Sequence, residues 1–337
     1  MNVWIVSATN DGLDLAALLA PDHRPAGMIG LSERAPDDAI SGYVHCEPEC
    51  RKLGIPFFPV DDYSLRSQND RDRLSRLDID VLVVTGWQRL IPQWLIEQCS
   101  KLVIGIHGSP WGIARGRGRS PQNWALILGE PHFHLSAFRI TPEIDAGAVL
   151  ASRTFEYTPW DDIKTSHQKV TMLYADMLHE LFDKDDAGLE TMQEQREEEA
   201  AYLPKRTPGD GGIDWTRPAE RIHDFVRAQT RPYPGAFTTL QGRKMHIWEA
   251  VPISLGKTNA EPGRVVNVFR SGEALVAAGE GMLLVRDWTS PDGGEFTQGA
   301  VCDSESFAGQ MQRIVERHQT AYPDLPVAKE ILDLATP

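Results

Sequence analysis

The chain has 337 residues, of which 41% are hydrophobic and 24% charged, and its formal net charge is −14. This length predicts two domains with full cores, and the composition is that of a soluble globular protein. Lys plus Arg number 20 against 31 Asp plus Glu in residues 1–205, and 14 against 17 in residues 206–337. Neither part has the cationic excess that binds nucleic-acid phosphates.

The apolar run at the start of the chain is short and reaches a polar residue at Ser7. No long uncharged apolar run follows it. We therefore expect a cytoplasmic protein without a signal sequence or a membrane contact. The four cysteines lack the paired spacing of a zinc site, so we expect free thiols and no bound metal.

Short apolar runs alternate with helical patterns over residues 1–150, which is typical of a doubly wound, mostly parallel α/β sheet. The loop after the first strand, residues 8–12, lacks the G-x-G-x-x-G fingerprint, which argues against a nicotinamide dehydrogenase. The predicted strands are residues 3–7, 27–31, 56–60, 81–85 and 102–107, followed by 135–140 and 149–155.

A helix is predicted to begin with Ser120 as its N-cap and Pro121 as its first residue. Its free N–H groups would lie beside Arg115, Arg117 and Arg119, which alternate with glycines. Because helix N-termini attract anions, this segment is either a phosphate or carboxylate site or a flexible, solvated loop.

The second half of the chain changes pattern. An amphipathic stretch over 160–182 predicts a long helix, and the acidic residues 183–200 predict a partly helical linker or a solvated face. A second domain begins near residue 206, with a helix over 217–229 and a last helix over 305–318. Between them, short strands predict a small β-barrel, at residues 238–240, 245–250, 264–269, 274–278 and 282–287.

His107 and Asp145 are the strongest candidates for catalysis. His107 closes the apolar run that starts at Leu102, which predicts a buried parallel strand ending at the ligand-binding edge of the sheet. Asp145 follows 38 positions later. A His and an Asp within hydrogen-bond reach can move a proton and stabilise a developing charge, which acyl transfer to an amine requires.

Six stretches of the chain resemble the folate-dependent formyltransferase family, which includes methionyl-tRNA formyltransferase, glycinamide ribonucleotide transformylase and the nucleotide-sugar N-formyltransferases. They are residues 85–92, 107–109, 119–125, 140–147, 213–215 and 231–236. The resemblance implies a Rossmann-like catalytic domain over residues 1–205, with the acidic linker at its end, and a smaller OB-like barrel over residues 206–337.

The resemblance also implies 10-formyltetrahydrofolate as the cosubstrate. His107 would hydrogen-bond the formyl oxygen, and Asp145 would orient His107 and accept the proton that the amine loses. The implied pterin pocket consists of Arg89, Leu90, Ile91, Thr141 and Ile144. The candidate acceptor contacts are Ser109, Arg115, Arg117, Arg119 and Gln122, although Ser109 and Gln122 are equally suited to capping turns.

One departure from the family pattern concerns the oxyanion. The family places an Asn two residues before the catalytic His, and here that position is Gly105, which offers no side-chain donor. Either His107 and backbone N–H groups stabilise the oxyanion, or a nearby amide replaces the missing one. Asn123 is our candidate for that amide, and a catalytically degenerate folate-binding protein is the third alternative.

The acceptor amine is left open by the family resemblance. The acidic charge and the Arg-Gly loop favour a small molecule, with a nucleotide-linked amino sugar as the leading prediction. Methionyl-tRNA and a hydroxylated ornithine are the alternatives, and a homodimer is compatible with all of them.

Overall fold

The described chain folds into two compact units. The computed structural model describes residues 1–33, 40–184, 189, 191–254 and 259–335. Unit 1 comprises Met1–Arg117, Phe133–Phe155 and His167–Ala200, and unit 2 comprises Gly118–His132, Glu156–Ser166 and Ala201–Pro337, in each case over the described residues.

Strands and helices alternate through the first half of the chain. The strands are β1 (Val3–Val6), β2 (Gly27–Leu31), β3 (Phe57–Val60), β4 (Val81–Val84), β5 (Leu102–Ser109), β6 (Arg117–Gly118), β7 (His132–Arg139) and β8 (Val149–Glu156). The helices are α1 (Asn10–Leu19), α2 (Glu47–Leu53), α3 (Gln68–Leu74), α4 (Gln93–Gln98), α5 (Pro121–Leu128) and α6 (Ile163–Phe182).

A seven-stranded sheet has the order β3-β2-β1-β4-β5-β7-β8. The five strands from β3 to β5 are parallel, and β7 runs antiparallel to β5. All residues of β1, β2 and β4 are buried, which explains their continuous apolar runs, because helices cover both faces of a parallel sheet. The predicted doubly wound, mostly parallel sheet is confirmed.

The order of the strands places a topological switch point between β1 and β4, because the chain proceeds from β1 to β2 on one side and from β4 to β5 on the other. Open α/β sheets bind ligands in the crevice outside this point. The loops that follow the two strands pack closely here, since a Cβ at Gly86 would lie 2.0 Å from the Thr9 hydroxyl. The segment after β4, which contains the predicted pterin contacts Arg89 to Ile91, therefore starts at the switch point.

The end of β5 differs from the sequence prediction. β5 pairs with β4 only up to Ile104, but it continues to Ser109, two residues further than predicted. β7 begins at His132 rather than at residue 135, and it pairs with β5 from Ile104 to Ser109. The two strands lengthen each other because each satisfies the backbone groups of the other.

Two predictions for the middle of the chain need correction. Helix α5 begins at Pro121 as predicted, but Ser120 has a left-handed backbone with φ of 58° and its side chain does not cap the helix. The acidic segment, predicted as a partly helical linker or a solvated face, also pairs with the sheet, since the backbones of Gln193 and Val149 on β8 exchange hydrogen bonds. It also contains a 3-10 turn, Glu197–Glu199.

Unit 2 contains a five-stranded antiparallel sheet of order β10-β11-β14-β13-β12, curled like a half-barrel. The elements of this region are β9 (Tyr202–Leu203), α7 (Ala219–Arg227), β10 (Ala236–Leu240), β11 (Arg243–Ile253), β12 (Val265–Val268), β13 (Ala274–Ala277), β14 (Met282–Thr289), α8 (Phe307–Ala321) and α9 (Lys329–Leu334). The predicted second fold, an OB-like β domain, is confirmed. Helix α7 is shorter than the predicted 217–229 because Pro218 precedes its first turn.

Two segments within residues 1–205, which the sequence assigns to the first domain, belong to unit 2. They are Gly118–His132 and Glu156–Ser166. Within that unit, the Trp124 indole donates to the Pro204 carbonyl at 2.9 Å, and Arg227 donates to the carbonyls of Thr158 and Asp161. These contacts join distant parts of the chain, so no local pattern in the sequence indicates them.

All four cysteines are free and buried. Burial raises the pKa of the Cys46, Cys99 and Cys302 thiols to about 12, so none of these three is a nucleophile at neutral pH. Within the described ranges, no helix is long and apolar enough to cross a membrane.

Candidate active site

His107 and Asp145 lie together in unit 1, as the sequence predicts. His107 is on the part of β5 that extends past β4, and its Nδ1 atom is 3.6 Å from Asp145 Oδ2. The His107 side chain is 8% exposed and that of Asp145 is 21% exposed. A nearly buried imidazole beside a more accessible carboxylate is suited to proton transfer.

The second ring nitrogen of His107 also faces an acceptor. Nε2 lies 2.7 Å from the carbonyl oxygen of Gly116. A neutral imidazole donates at one nitrogen only, so a ring that donates through Nε2 to the Gly116 carbonyl does not also donate through Nδ1 toward Asp145. To donate to a substrate oxygen through Nε2, His107 must exchange the Gly116 carbonyl for that oxygen.

The loop that carries Asp145 begins beside β5. Ile140, its first residue, donates its N–H to the Val103 carbonyl at 2.8 Å. Asp145 has a positive φ of 51°, a strained conformation for a residue other than glycine. Gly147 is required by close packing, because a Cβ there would lie 1.8 Å from the Arg139 carbonyl oxygen.

Gln195 contacts this loop, and sequence reasoning missed it. Its side-chain Nε2 donates to the backbone carbonyls of Asp145 and Gly147 at 2.8 and 2.7 Å. Its Oε1 accepts from Nε and Nη2 of Arg117 at 3.3 and 3.2 Å. The surrounding residues are acidic and polar, a composition that predicts a partly helical linker or a solvated face. The composition therefore gives no signal for this contact.

Arg117 does not lie where a ligand could reach it. The sequence predicts that it binds an acceptor phosphate, but its side chain is 0% exposed. Its guanidinium forms a bidentate pair with Glu197, with both distances 2.9 Å. The hydrogen bond from Arg117 lowers the pKa of Glu197. A buried and paired guanidinium is not available to a ligand, so the predicted role of Arg117 is wrong.

Ser109 also has a structural role. It is fully buried, and its hydroxyl donates to the Gly112 carbonyl at 2.7 Å and accepts from the Trp111 N–H at 3.0 Å. Of the two alternatives open for Ser109, the turn is therefore correct. Gln122 is half-buried and accepts from the Ser166 hydroxyl at 2.6 Å. Arg115 is exposed and Arg119 half-buried, and both remain predicted acceptor contacts.

Asn123, the predicted oxyanion donor, forms a contact at odds with that role. It is 4% exposed within unit 2, and its Nδ2 donates to the Ala228 carbonyl at 2.6 Å. The amide links α5 to the end of α7, where an otherwise unpaired helix C-terminal carbonyl needs a donor. This contact gives Asn123 a structural role in place of the predicted contact with the oxyanion.

The predicted pterin residues differ in what they offer a ligand. Leu90 is apolar and 51% exposed, and the Arg89 guanidinium stacks 5.0 Å over the Tyr63 ring. Ile91 is buried in the apolar core of unit 1, so only its backbone is available. Thr141 and Ile144 are half-buried in the turn between β7 and β8. An exposed apolar side chain and the backbone groups of a half-buried turn are features that suit a flat heterocycle.

Comparison with known proteins then decides the family. Residues 34–181 match the formyl transferase model, and residues 205–302 match the formyl transferase C-terminal domain model. The methionyl-tRNA formyltransferase of Enterococcus faecalis is 32% identical over 249 residues, which is 74% of this chain and 76% of that protein. The chain belongs to the formyl transferase family. Members of this family are folate-dependent enzymes that use 10-formyltetrahydrofolate.

Solved structures show the same fold at lower identity. HypX from Aquifex aeolicus in complex with tetrahydrofolic acid has a TM-score of 0.61 and 17% identity over 97% of this chain, which spans only 48% of that protein. The N-formyltransferase from Helicobacter canadensis, solved with folinic acid and dTDP-3-aminofucose, has a TM-score of 0.56 and 11% identity. The match covers 86% of this chain and 100% of the Helicobacter chain.

Within this formyl transferase, Gly105 is covered by apolar side chains. Its cross-strand partner on β7 is Phe138, so both residues face the same side of the sheet. A Cβ at Gly105 would lie 2.9 Å from both Phe138 Cε1 and Ile140 Cγ1. The space that an Asn side chain would need is therefore filled by Phe138 and Ile140. The glycine that stands here in place of the family's Asn goes together with apolar neighbours that occupy this space.

We expect Asn123→Ala to destabilise the protein rather than to slow catalysis. Losing the buried hydrogen bond to Ala228 costs about 1–3 kcal/mol of unfolding free energy. Urea unfolding measures this loss, and Gln312→Ala, which removes an exposed amide from α8, is the matched control. A loss of kcat without a loss of stability would instead restore the catalytic role of Asn123.

We expect Gly105→Asn to lower stability and to leave kcat no higher than in the wild type. Overpacking a filled site costs about 1–3 kcal/mol, and Ile140→Ala in the same chain should recover part of that cost because the two side chains compete for one space. Urea unfolding of the two single variants and the double variant measures the coupling. A stable Gly105→Asn protein with a raised kcat would contradict the crowding of this site.

Proposed function

We propose that this protein transfers a formyl group from 10-formyltetrahydrofolate to the amine of a nucleotide-linked amino sugar. The observation that carries the formyl-transfer chemistry is the His107–Asp145 pair beside the loop at the edge of the sheet, with 3.6 Å between Nδ1 and Oδ2. The acceptor class rests on charge and on the Arg-Gly segment.

His107 and Asp145 supply complementary chemistry for this reaction. Asp145 accepts, directly or through a water, the proton that the attacking amine loses as it bonds to the formyl carbon. His107 donates a hydrogen bond to the formyl oxygen, which gains negative charge while the new bond forms. The bond from the formyl carbon to the folate nitrogen then breaks, and that nitrogen takes up the proton that Asp145 accepted, directly or through a water, so Asp145 returns to its carboxylate form.

The folate site is proposed at the switch point of the sheet. The cosubstrate supplies an activated formyl group. Leu90 offers an exposed apolar surface, and backbone groups of the turn that includes Thr141 and Ile144 offer hydrogen bonds to ring nitrogens. These features fit a pterin ring, which needs one apolar contact and several polar partners.

A small acceptor is favoured over a nucleic acid by electrostatics. The net charge of −14 is spread over both parts of the chain, and binding tRNA requires several phosphate-neutralising cations on one face. With Arg117 buried against Glu197, Arg115 and Arg119 are the arginines of this segment that we propose contact the acceptor. Two guanidinium groups suit a diphosphate better than the backbone of an RNA duplex.

Methionyl-tRNA is the second candidate, and one observation favours it. The Enterococcus relative, at 32% identity, is named for that acceptor. A hydroxylated ornithine and a non-catalytic folate-binding protein are the remaining alternatives from the sequence, and formyl transfer to any amine would exclude the last of them.

We expect His107→Ala and Asp145→Asn each to lower kcat by about 10²-fold or more, because both groups act on the developing charges rather than in the core. Formyl transfer is measured at saturating folate and acceptor. His132→Ala, which changes an exposed histidine on β7, is the control and should retain wild-type turnover. Wild-type rates in either site variant would exclude the proposed roles.

We expect nucleoside diphosphates to compete with the acceptor. Arg115→Ala and Arg119→Ala should each raise the acceptor KM while leaving the folate KM unchanged, because a guanidinium contact to phosphate is lost. Steady-state competition at physiological salt is the measurement, with uncharged tRNA as the parallel competitor. Competition by tRNA, with no effect of millimolar nucleoside diphosphate, would replace the sugar acceptor by methionyl-tRNA.

A further inference from the structure

The segment 193–199 places one amide side chain against the loop of Asp145. Gln195 Nε2 has two hydrogens, and each is donated to a backbone carbonyl, one of Asp145 and one of Gly147. Gln195 Oε1 accepts from Arg117. The side chain is half-buried, and all of its donors and its acceptor are used.

Arg117 determines which way this amide points. A guanidinium carries donors only, so it selects the oxygen end of Gln195 and turns the nitrogen end toward the loop carbonyls. The bidentate pair with Glu197 fixes the guanidinium in turn, with both distances 2.9 Å. Arg117 and Gln195 thus form an ordered chain of contacts that ends on the backbone of Asp145.

The backbone of Asp145 requires such support. Its φ of 51° is unfavourable for a residue with a Cβ, and this conformation persists only where surrounding contacts impose it. Two hydrogen bonds from one amide restrain the carbonyls on both sides of Ala146, and so the direction in which the Asp145 carboxylate leaves the chain.

The same arginine also restrains the partner of His107. The carbonyl of Gly116 belongs to the peptide bond that enters Arg117, and it lies 2.7 Å from His107 Nε2. Arg117 is fully buried, so this peptide is fixed by the burial of the residue that follows it. One guanidinium is therefore linked to both members of the catalytic pair, through Gln195 to Asp145 and through Gly116 to His107.

We propose that Arg117 and Gln195 are positioning residues that set the geometry of the His107–Asp145 pair. The catalytic consequence rests on the proposed function, whereas the restraint of the loop does not. The contrasting view is that the two residues only hold segment 193–199 against the rest of unit 1. That view predicts a loss of stability without a specific effect on the loop or on the Asp145-dependent step.

Gln195→Glu is the most informative variant. A carboxylate retains an acceptor for Arg117 but donates nothing to the two carbonyls, so it removes the contacts to the loop alone. Gln195→Met, of similar length and without any hydrogen bond, is the second variant in case the added charge impairs folding. Gln193→Glu is the matched control, because it makes the same chemical change at an exposed position two residues away.

Hydrogen–deuterium exchange tests the restraint without an activity assay. We expect amides in residues 141–148 to exchange about 10-fold faster or more in both Gln195 variants, because the lost hydrogen bonds lower the free energy of local opening. Gln193→Glu should exchange like the wild type. Unchanged exchange in folded Gln195 variants would overturn the proposal.

A double-mutant cycle tests the catalytic consequence. We expect Gln195→Glu to lower kcat by about 10-fold or more in the wild-type background, and by less than about 2-fold when Asp145 is already Asn, since a positioning residue acts through its partner. Equal losses in both backgrounds, or no loss in either, would overturn a positioning role. If the wild type transfers no formyl group, the proposed function fails, and the exchange measurement alone decides whether Gln195 restrains the loop.

Discussion

The antiparallel pairing of β5 with β7 is the constraint on which the site depends. Beyond Ile104, β5 has no parallel neighbour, and its backbone groups are satisfied by β7 up to Ser109. This pairing places His107 past the edge of the parallel sheet. It also starts the return loop at Ile140, which brings Asp145 to within 3.6 Å of His107. Without it, the end of β5 would be an unpaired edge strand.

The same pairing explains the substitution at Gly105. Residues two apart on a strand share a face, so position 105 faces the same side of the sheet as the His107 side chain. In this chain that space belongs to Phe138 and Ile140. An apolar wall raises the strength of nearby electrostatic contacts, because it lowers the local dielectric.

The buried arginine illustrates how a charged group is accommodated inside this protein. Removing a guanidinium from water is costly unless its donors are paired, and Arg117 pairs through all three of its nitrogens. Glu197 stays mostly in solvent, so only one of the two charges loses its hydration. Such a network is rigid, because losing any member leaves another group buried and unpaired.

The sequence by itself determined the doubly wound sheet, the β domain, the family and the His107–Asp145 pair, because apolar periodicity and short motifs depend on residues close together in the chain. Tertiary structure alone decided what Arg117, Asn123, Ser109 and Gln195 do. An arginine in a glycine-rich segment looks like a ligand contact until its partner, Glu197, is found 80 residues away. Contacts between residues so far apart produce no periodic pattern in the sequence. They depend on how the tertiary fold brings distant segments together and not on local sequence.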